Sequence, residues 1–333
     1  MTGGAPAGPT PATAHWLALS DLPPPAARDR PTGALARGML VVELAQPLTA
    51  AAILLDLRGG EGALSLIHDP GLGLAVLHRG GGRLVRHLLP GAPLDGIGPA
   101  RLMLDWDAGQ DRWHMALGRP GRTAPVEARG TGALPLALAH LQALAGVAPP
   151  PPRHPVVLWW GVTAGQTPQP LPRLGPRTPV EVPGGQTPAA ALRPGDLVLT
   201  DRGPRRLRRV LREMLPGRGS LAPVRLRAPY FRRGGDAVVS PEQPVRLTGT
   251  DVEYLFGQET VLARAADLID GRRALHDERS GPVAWIGLEL ETPAILECSG
   301  LGLGLGAAAR VLTGWEAQAL TAHRRRGNSR NVA

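Results

Sequence analysis

Few side chains in this chain could do covalent chemistry, and they are scattered. Its one cysteine, Cys298, closes the apolar run Ala294–Cys298. A thiol in that setting is expected to behave as a small buried hydrophobe, the alternative being a reactive nucleophile. His68, His78, His87 and His114 fall on different expected strands. No His-x-His, HExxH or Cys-x-x-Cys spacing occurs, so no metal site is expected. Asp105, Asp107 and Asp111 flank Trp106 in a short hairpin and could ring a Ca²⁺ or a sugar at a sandwich rim. Calcium needs about six oxygens, so an acidic turn is the simpler reading. Gly300–Gly306, GLGLGLG, imitates a phosphate loop but has no Lys or Ser/Thr at the required offset and no βαβ unit after it. Arg205-Arg206-Leu207-Arg208-Arg209 is a basic run, read as a solvated face or as a contact for an acidic partner. No cofactor is expected.

The elements that must position these residues are short apolar runs separated by Gly, Pro and Asp, the pattern of antiparallel β modules. Trp16–Leu19 reads as a first edge strand. Met39–Leu44, Ala51–Leu57, Ala63–Ile67, Leu72–His78, Arg83–Leu88, Ala100–Trp106, Arg112–Leu117 and Pro125–Arg129 recur at roughly ten-residue spacing, which predicts a β-sandwich. Its central hairpin is similar in pattern to concanavalin- or laminin-G-like sandwiches. Leu134–Ala145 is rich in helix formers and predicts a helix. Val156–Trp160 is one more strand, closing the sandwich or bridging the halves. A second β module follows, with strands at Thr178–Val182, Leu197–Thr200, Leu207–Met214, Val224–Ala228, Ala237–Ser240, Val245–Leu247, Glu253–Phe256, Val283–Leu290 and Ala294–Cys298. Leu207–Met214 is expected to pair with Val224–Ala228, and Val261–Leu268 to form a helical turn. Tyr230, Phe231, Tyr254 and Phe256 are expected as core and core-edge anchors. Gly300–Gly306 reads as low complexity. Ala307–His323 predicts a C-terminal helix with Leu312, Trp315, Ala319 and Ala322 near one face.

At 333 residues the chain is about twice the usual single-domain size, so two domains are expected. The expected layout is a tail at 1–14, a sandwich at 15–160, a linker at 161–176, a second β domain at 177–306, and a helix and tail at 307–333. Gly (44) and Pro (36) sit between apolar runs and read as turns rather than disorder. The net charge is +9, and all 37 basic residues are Arg, because the sequence contains no Lys. A biased coding background accounts for that excess, so no specific nucleic-acid binding is expected, and an acidic surface stays open as a partner. One Cys excludes an intrachain disulfide. There is neither a secretory signal pattern nor an apolar run of about 18 residues, so no membrane span is expected. The setting is read as cytoplasmic, with leaderless export left open.

Four stretches in order, LRPGDLVLT, LAPVRLRAPYF, VVSPEQPVRLTG and VEYLFGQETVLARAADLIDG, resemble the blocks of a bacterial Hint (hedgehog/intein) module. The third stands where that module normally reads SPQHRVLL. The resemblance covers residues 173 to about 300. It implies an all-β fold and autoprocessing chemistry. In that family a Cys or Ser at the first residue attacks the preceding carbonyl in an N-to-S or N-to-O acyl shift, aided by a Thr and a His.

Carried over position by position, the resemblance puts the nucleophile about 23 residues before Asp196, which is Arg173. Thr178 and Gly185 fall where the branch has its Thr and its turn Gly. Between Thr167 and Thr200 there is no Cys or Ser. Ser240 keeps a hydroxyl at the start of the SPQH block, and Gln243 replaces its His. Gln hydrogen bonds but cannot cycle a proton near neutral pH. The late His is also missing, since the chain reads Glu291-Thr292-Pro293. The expectation is therefore a Hint fold degenerate at its catalytic positions, a pseudo-enzyme serving binding or scaffolding. Two alternatives stand beside it. One is residual self-cleavage in the linker with Thr167 or Thr178 as nucleophile, an N-to-O shift. The other is lectin-like ligand binding by the N-terminal sandwich.

Overall fold

The computed structural model describes residues 16–22, 33–59, 62–91, 94–119, 124–138, 153–164, 171–232, 234–306 and 308–330. The chain divides into two compact units, Met1–Gln169 and Pro170–Ala333. Almost every element is an antiparallel strand. No described helix is long and apolar enough to cross a membrane.

The first unit holds β1 (Trp16–Leu19), β2 (Ala34–Leu35), β3 (Arg37–Leu44), β4 (Ala52–Gly59), β5 (Gly62–Asp69), β6 (Gly73–Gly80), β7 (Arg83–Leu89), β8 (Ala100–Asp107), β9 (Arg112–Gly118), β10 (Val126–Thr131), β11 (Leu136–Ala137) and β12 (Val157–Thr163). One sheet runs β1-β12-β3-β8-β9-β10, and β4 to β7 form a four-stranded meander. The pleat sends alternate side chains to one face. Leu40, Val42, Leu102, Leu104 and Met115 from the larger sheet thus join Leu64, Leu66, Leu74 and Val76 from the meander in one buried core. That makes a sandwich. Trp16–Leu19 is an edge strand as expected, and β12 closes the sheet between it and β3.

The predicted helix at Leu134–Ala145 does not begin where its composition suggests. Leu134, Leu136 and Leu138 are all buried, a period of two, and Leu136–Ala137 pairs with Ala34–Leu35. Burying alternate leucines in the sandwich outweighs a helix propensity of a few tenths of a kcal/mol per residue. Residues 139–145 lie outside the described residues.

The second unit holds β13 (Pro179–Val182), β14 (Gly185–Pro188), β15 (Leu197–Thr200), β16 (Gly203–Leu215), β17 (Val224–Leu226), β18 (Ala237–Val239), β19 (Pro244–Thr248), helix α1 (Thr250–Phe256), β20 (Thr260–Arg264), β21 (Ala274–His276), β22 (Val283–Leu290), β23 (Ala294–Cys298), β24 (Leu301–Leu305) and helix α2 (Gly314–Arg330). Its main sheet runs β20-β19-β24-β23-β15-β16-β22, with smaller sheets β18-β17-β21 and β13-β14.

Several expectations are corrected here. Leu207–Met214 does not pair with Val224–Ala228. The long β16 turns back tightly on β15 and then pairs with β22, while β17 sits in the three-stranded sheet. Glu253–Phe256 is helical: Asp251 and Glu253 lie in the first turn, where negative charge suits the helix dipole, and Gly257 ends the turn in the left-handed conformation at φ 64°. Val261–Leu268 splits into β20 and a 3₁₀ turn at Ala265–Leu268. Phe231 and Phe256 pack on the core, but Tyr230 and Tyr254 do not; Tyr254 is 84% exposed. The C-terminal helix starts at Gly314, where Glu316 reaches back to Thr313. The Glu316 carboxylate accepts from the Thr313 N–H at 2.8 Å and from its hydroxyl at 2.9 Å. That start turns Ala317 and Leu320 inward with Leu312 and leaves Trp315 71% exposed and Ala319 and Ala322 outside.

The Gly/Leu run is the most consequential correction. Leu301–Leu305 is a central strand, with Leu301, Leu303 and Leu305 in the core. Its glycines are bare because other groups need the space. A Cβ on Gly302 would lie 2.5 Å from Arg246 Nε, and one on Gly304 2.9 Å from Leu262. Gly302→Ala is expected to push Arg246 off its bidentate partner Glu297 and to destabilise the fold by about 1–3 kcal/mol. Urea unfolding measures this; an unchanged midpoint would count against the packing account.

In the first unit, burial lowers the His78 imidazole from its ordinary 6.5 to about 4, helped by the nearby His87, and burial lowers His87 to about 4 as well. Between about pH 6.5 and 4 the unfolded chain binds protons on these rings that the folded chain does not. Stability therefore falls as pH drops through that window and is flat above it. Denaturant titrations at pH 7.5, 6 and 4.5 should show the decline, and replacing both rings with Gln should flatten it.

Candidate functional site

The segment ahead of β13 enters the second unit as an inserted strand. Leu174 exchanges backbone hydrogen bonds with Ile286 of β22 at 2.8 and 2.9 Å, and it also bridges to Val239 of β18. The Gly175 N–H donates to the Val238 carbonyl at 2.8 Å, and Ser240 N–H donates to the Arg173 carbonyl at 2.9 Å. A Cβ on Gly175 would stand 2.9 Å from that same Val238 oxygen, so the close approach requires glycine. The chain before Leu174 is thereby held against the start of the SPEQ turn.

Arg173 and Ser240 are brought together. Ser240 Oγ accepts the Arg173 N–H at 2.8 Å and donates to the Leu171 carbonyl at 3.1 Å. One hydroxyl thus bridges the two peptides on either side of Pro172. The Arg173 side chain turns inward, 5% exposed, and meets Glu213 of β16 with Nε at 2.7 Å and Nη2 at 2.5 Å. Its Nη1 donates to the Leu171 carbonyl at 3.0 Å. A guanidinium is a cation with five donors and no lone pair to give. At this position it can brace the peptide but cannot attack it.

Gln243 is fully buried, yet its hydrogen bonds run elsewhere. Nε2 donates to the carbonyls of Gly304 at 3.0 Å and Pro244 at 3.2 Å, and Oε1 has no partner among the described residues. It ties the turn to β24. Thr178 is likewise engaged, donating to the Val238 carbonyl at 3.1 Å. Thr167 lies outside the described residues. Cys298 is free and buried on β23, where burial pushes its thiol far above the ordinary range, against the opposing charge of Arg232.

Residues 174–303 match the family pattern of the Hint domain. This chain is a Hint domain-containing protein. The match begins one residue after Arg173. Among solved structures, the MchDnaB-1 intein is 17% identical with a TM-score of 0.28, over 40% of this chain and 99% of that one. The gp41-1 intein is 15% identical with a TM-score of 0.27, over 41% of this chain and 99% of that one. No curated protein matches the chain.

In the Hint domain, sequence reasoning placed Arg173 and Ser240 but missed Glu213. A signal for it existed: Glu213 is the only acid in β16, GPRRLRRVLREML, and a buried Arg needs a carboxylate. The basic run on that strand is mostly exposed. Arg206 donates to the Gly195 carbonyl at 2.6 Å, and Arg208 stands 3.9 Å from Glu289. In the N-terminal unit two acids of the hairpin are engaged by backbone amides, one in the turn itself and one after β10. Asp107 accepts the Gln110 N–H at 3.1 Å, and Asp111 accepts the Gly132 N–H at 3.0 Å. No cluster of metal-ligating side chains occurs among the described residues.

Breaking one side of the Arg173–Glu213 pair strands a buried charge. Glu213→Gln is expected to cost about 3–5 kcal/mol, and Arg173→Leu with Glu213→Leu to recover most of it. Chemical denaturation of the two variants checks this. Equal losses would mean that packing, not charge, holds the site.

Proposed function

We propose that this protein uses its Hint domain as a binding or scaffold module and does not process itself. The observation that carries the reading is the buried Arg173–Glu213 pair at the position where the family places its nucleophile. The surrounding groups support it. Ser240 spends its hydroxyl proton on the Leu171 carbonyl, Thr178 spends its own on Val238, and Gln243 replaces the proton carrier. Removing a general acid/base costs roughly 10²–10⁴ in rate, and removing the nucleophile as well leaves no covalent route. The proposal extends to the layout, a β-sandwich ahead of the Hint domain and a C-terminal helix after it, and to a bacterial, cytoplasmic setting. The lectin-like reading of the sandwich loses ground because Asp107 and Asp111 are already engaged by the Gln110 and Gly132 amides.

The purified full-length chain is expected to show one intact mass after prolonged incubation with and without thiol. Fragments cut between residues 166 and 178 would overturn the proposal in favour of residual self-cleavage.

A further inference from the structure

Beside the C-terminal helix, the Hint-containing unit carries a cleft of about 210 Å³ with three guanidiniums and no carboxylate in its wall. Arg246 comes from β19, Arg273 from the approach to β21, and Arg324 from α2; Thr321 of α2 and the Tyr230-Phe231 pair complete the part that matters here. Each guanidinium is fixed by contacts that reach another element of the fold. Arg246 holds both oxygens of Glu297 at 2.6 and 3.0 Å. Arg273 holds Asp270 at 2.8 Å and the Thr321 carbonyl at 3.2 Å. Arg324 holds both oxygens of Asp251 at 2.6 and 3.1 Å and the Thr248 carbonyl at 2.8 Å. These contacts use Nε and Nη2 of Arg273 and Arg324. The Nη1 groups of both have no partner among the described residues.

A second observation points the same way. Arg232, next to Phe231, is only 7% exposed, and its buried Nε has no partner among the described residues. Its charge is felt at Cys298, two residues before Gly300 of the cleft wall. A buried guanidinium N–H left unpaired is costly unless an acceptor reaches it. Ion pairing alone accounts for Arg273 or Arg324 as a pin for the helix. It does not account for three forks, two of them with spare N–H groups, converging on a wall that holds no carboxylate.

We propose that this cleft binds the oxyanion end of a small molecule, a phosphoryl or carboxylate group. Rigidly held guanidiniums with spare N–H groups match the paired oxygens of such anions. Tyr230, 41% exposed and lying under the Arg272 guanidinium, lines the rim where the rest of the ligand would sit. The volume suits a compact head group rather than a drug-sized molecule.

Calorimetric titration of the full chain with inorganic phosphate, and separately with citrate, tests this in low-salt buffer. One saturable site is expected for at least one of the two, and which one binds tells phosphoryl from carboxylate. Arg324→Gln and Thr321→Phe should each weaken binding about tenfold or more, the second by filling the cleft while keeping every guanidinium. Arg205→Gln, on the exposed face of β16, should leave it unchanged. Thermal unfolding without ligand confirms that each variant is folded. Binding of neither anion overturns the proposal, as does wild-type affinity in Thr321→Phe or an equal loss in Arg205→Gln.

Discussion

A strand inserted between two others must satisfy its amide groups on both edges, and Leu174 meets that demand for the whole Hint domain. Its N–H and carbonyl are taken by Ile286 of the seven-stranded sheet, while its other edge bridges Val239 of the three-stranded sheet. One residue therefore ties two sheets. Everything around it follows from that seam. Glycine is required at 175 because the Val238 carbonyl leaves no room for a side chain. The residue before the seam points inward, and whatever stands at 173 must be accommodated in the interior. Here an arginine stands there, so a carboxylate must meet it, and Glu213 does.

The strands that turn signals bracket cleanly, such as Val283–Leu290 and Ala294–Cys298, were legible from the residues alone. The misreadings share a cause: local preference was outweighed by partners distant in sequence. Leu134–Ala137 looks helical by composition but is not, because β2 and the sandwich core take Leu134 and Leu136. Glycines 302 and 304 look like a loop but are strand positions under Arg246 and Leu262. The site divides in the same way. Spacing from Asp196 located Arg173, and the block order located Ser240 and Gln243. Glu213 was hidden because its pairing depends on β16 lying across β22 from the inserted strand, forty positions away in the chain. The direction of the Gln243 amide was hidden too, since Gly304 receives it only after β24 is in place.

The absence of lysine shapes the interior as well as the charge. Every cation in this chain is either a planar fork or an imidazole, and the forks are used structurally. Arg101 holds Glu43 across neighbouring strands and lies over Trp159, Arg246 holds Glu297 across the bare face of Gly302, and Arg273 holds the almost fully buried Asp270. A compact ammonium would not make these two-point contacts. Part of the basic excess is therefore committed to holding strands and helix ends in place, and only the remainder is available to the surroundings.

The ion pair at 173 also bears on how such a chain can change over time. A single substitution that put a thiol or hydroxyl there would leave Glu213 without its counter-charge in a place that water barely reaches. The first step toward a reactive residue is thus uphill in stability, by an amount comparable to a sizeable part of what holds an ordinary domain together. A compensating change at 213 would have to come first or together with it. The pair acts as a ratchet: a new side chain at 173 is tolerated only as fast as 213 changes with it.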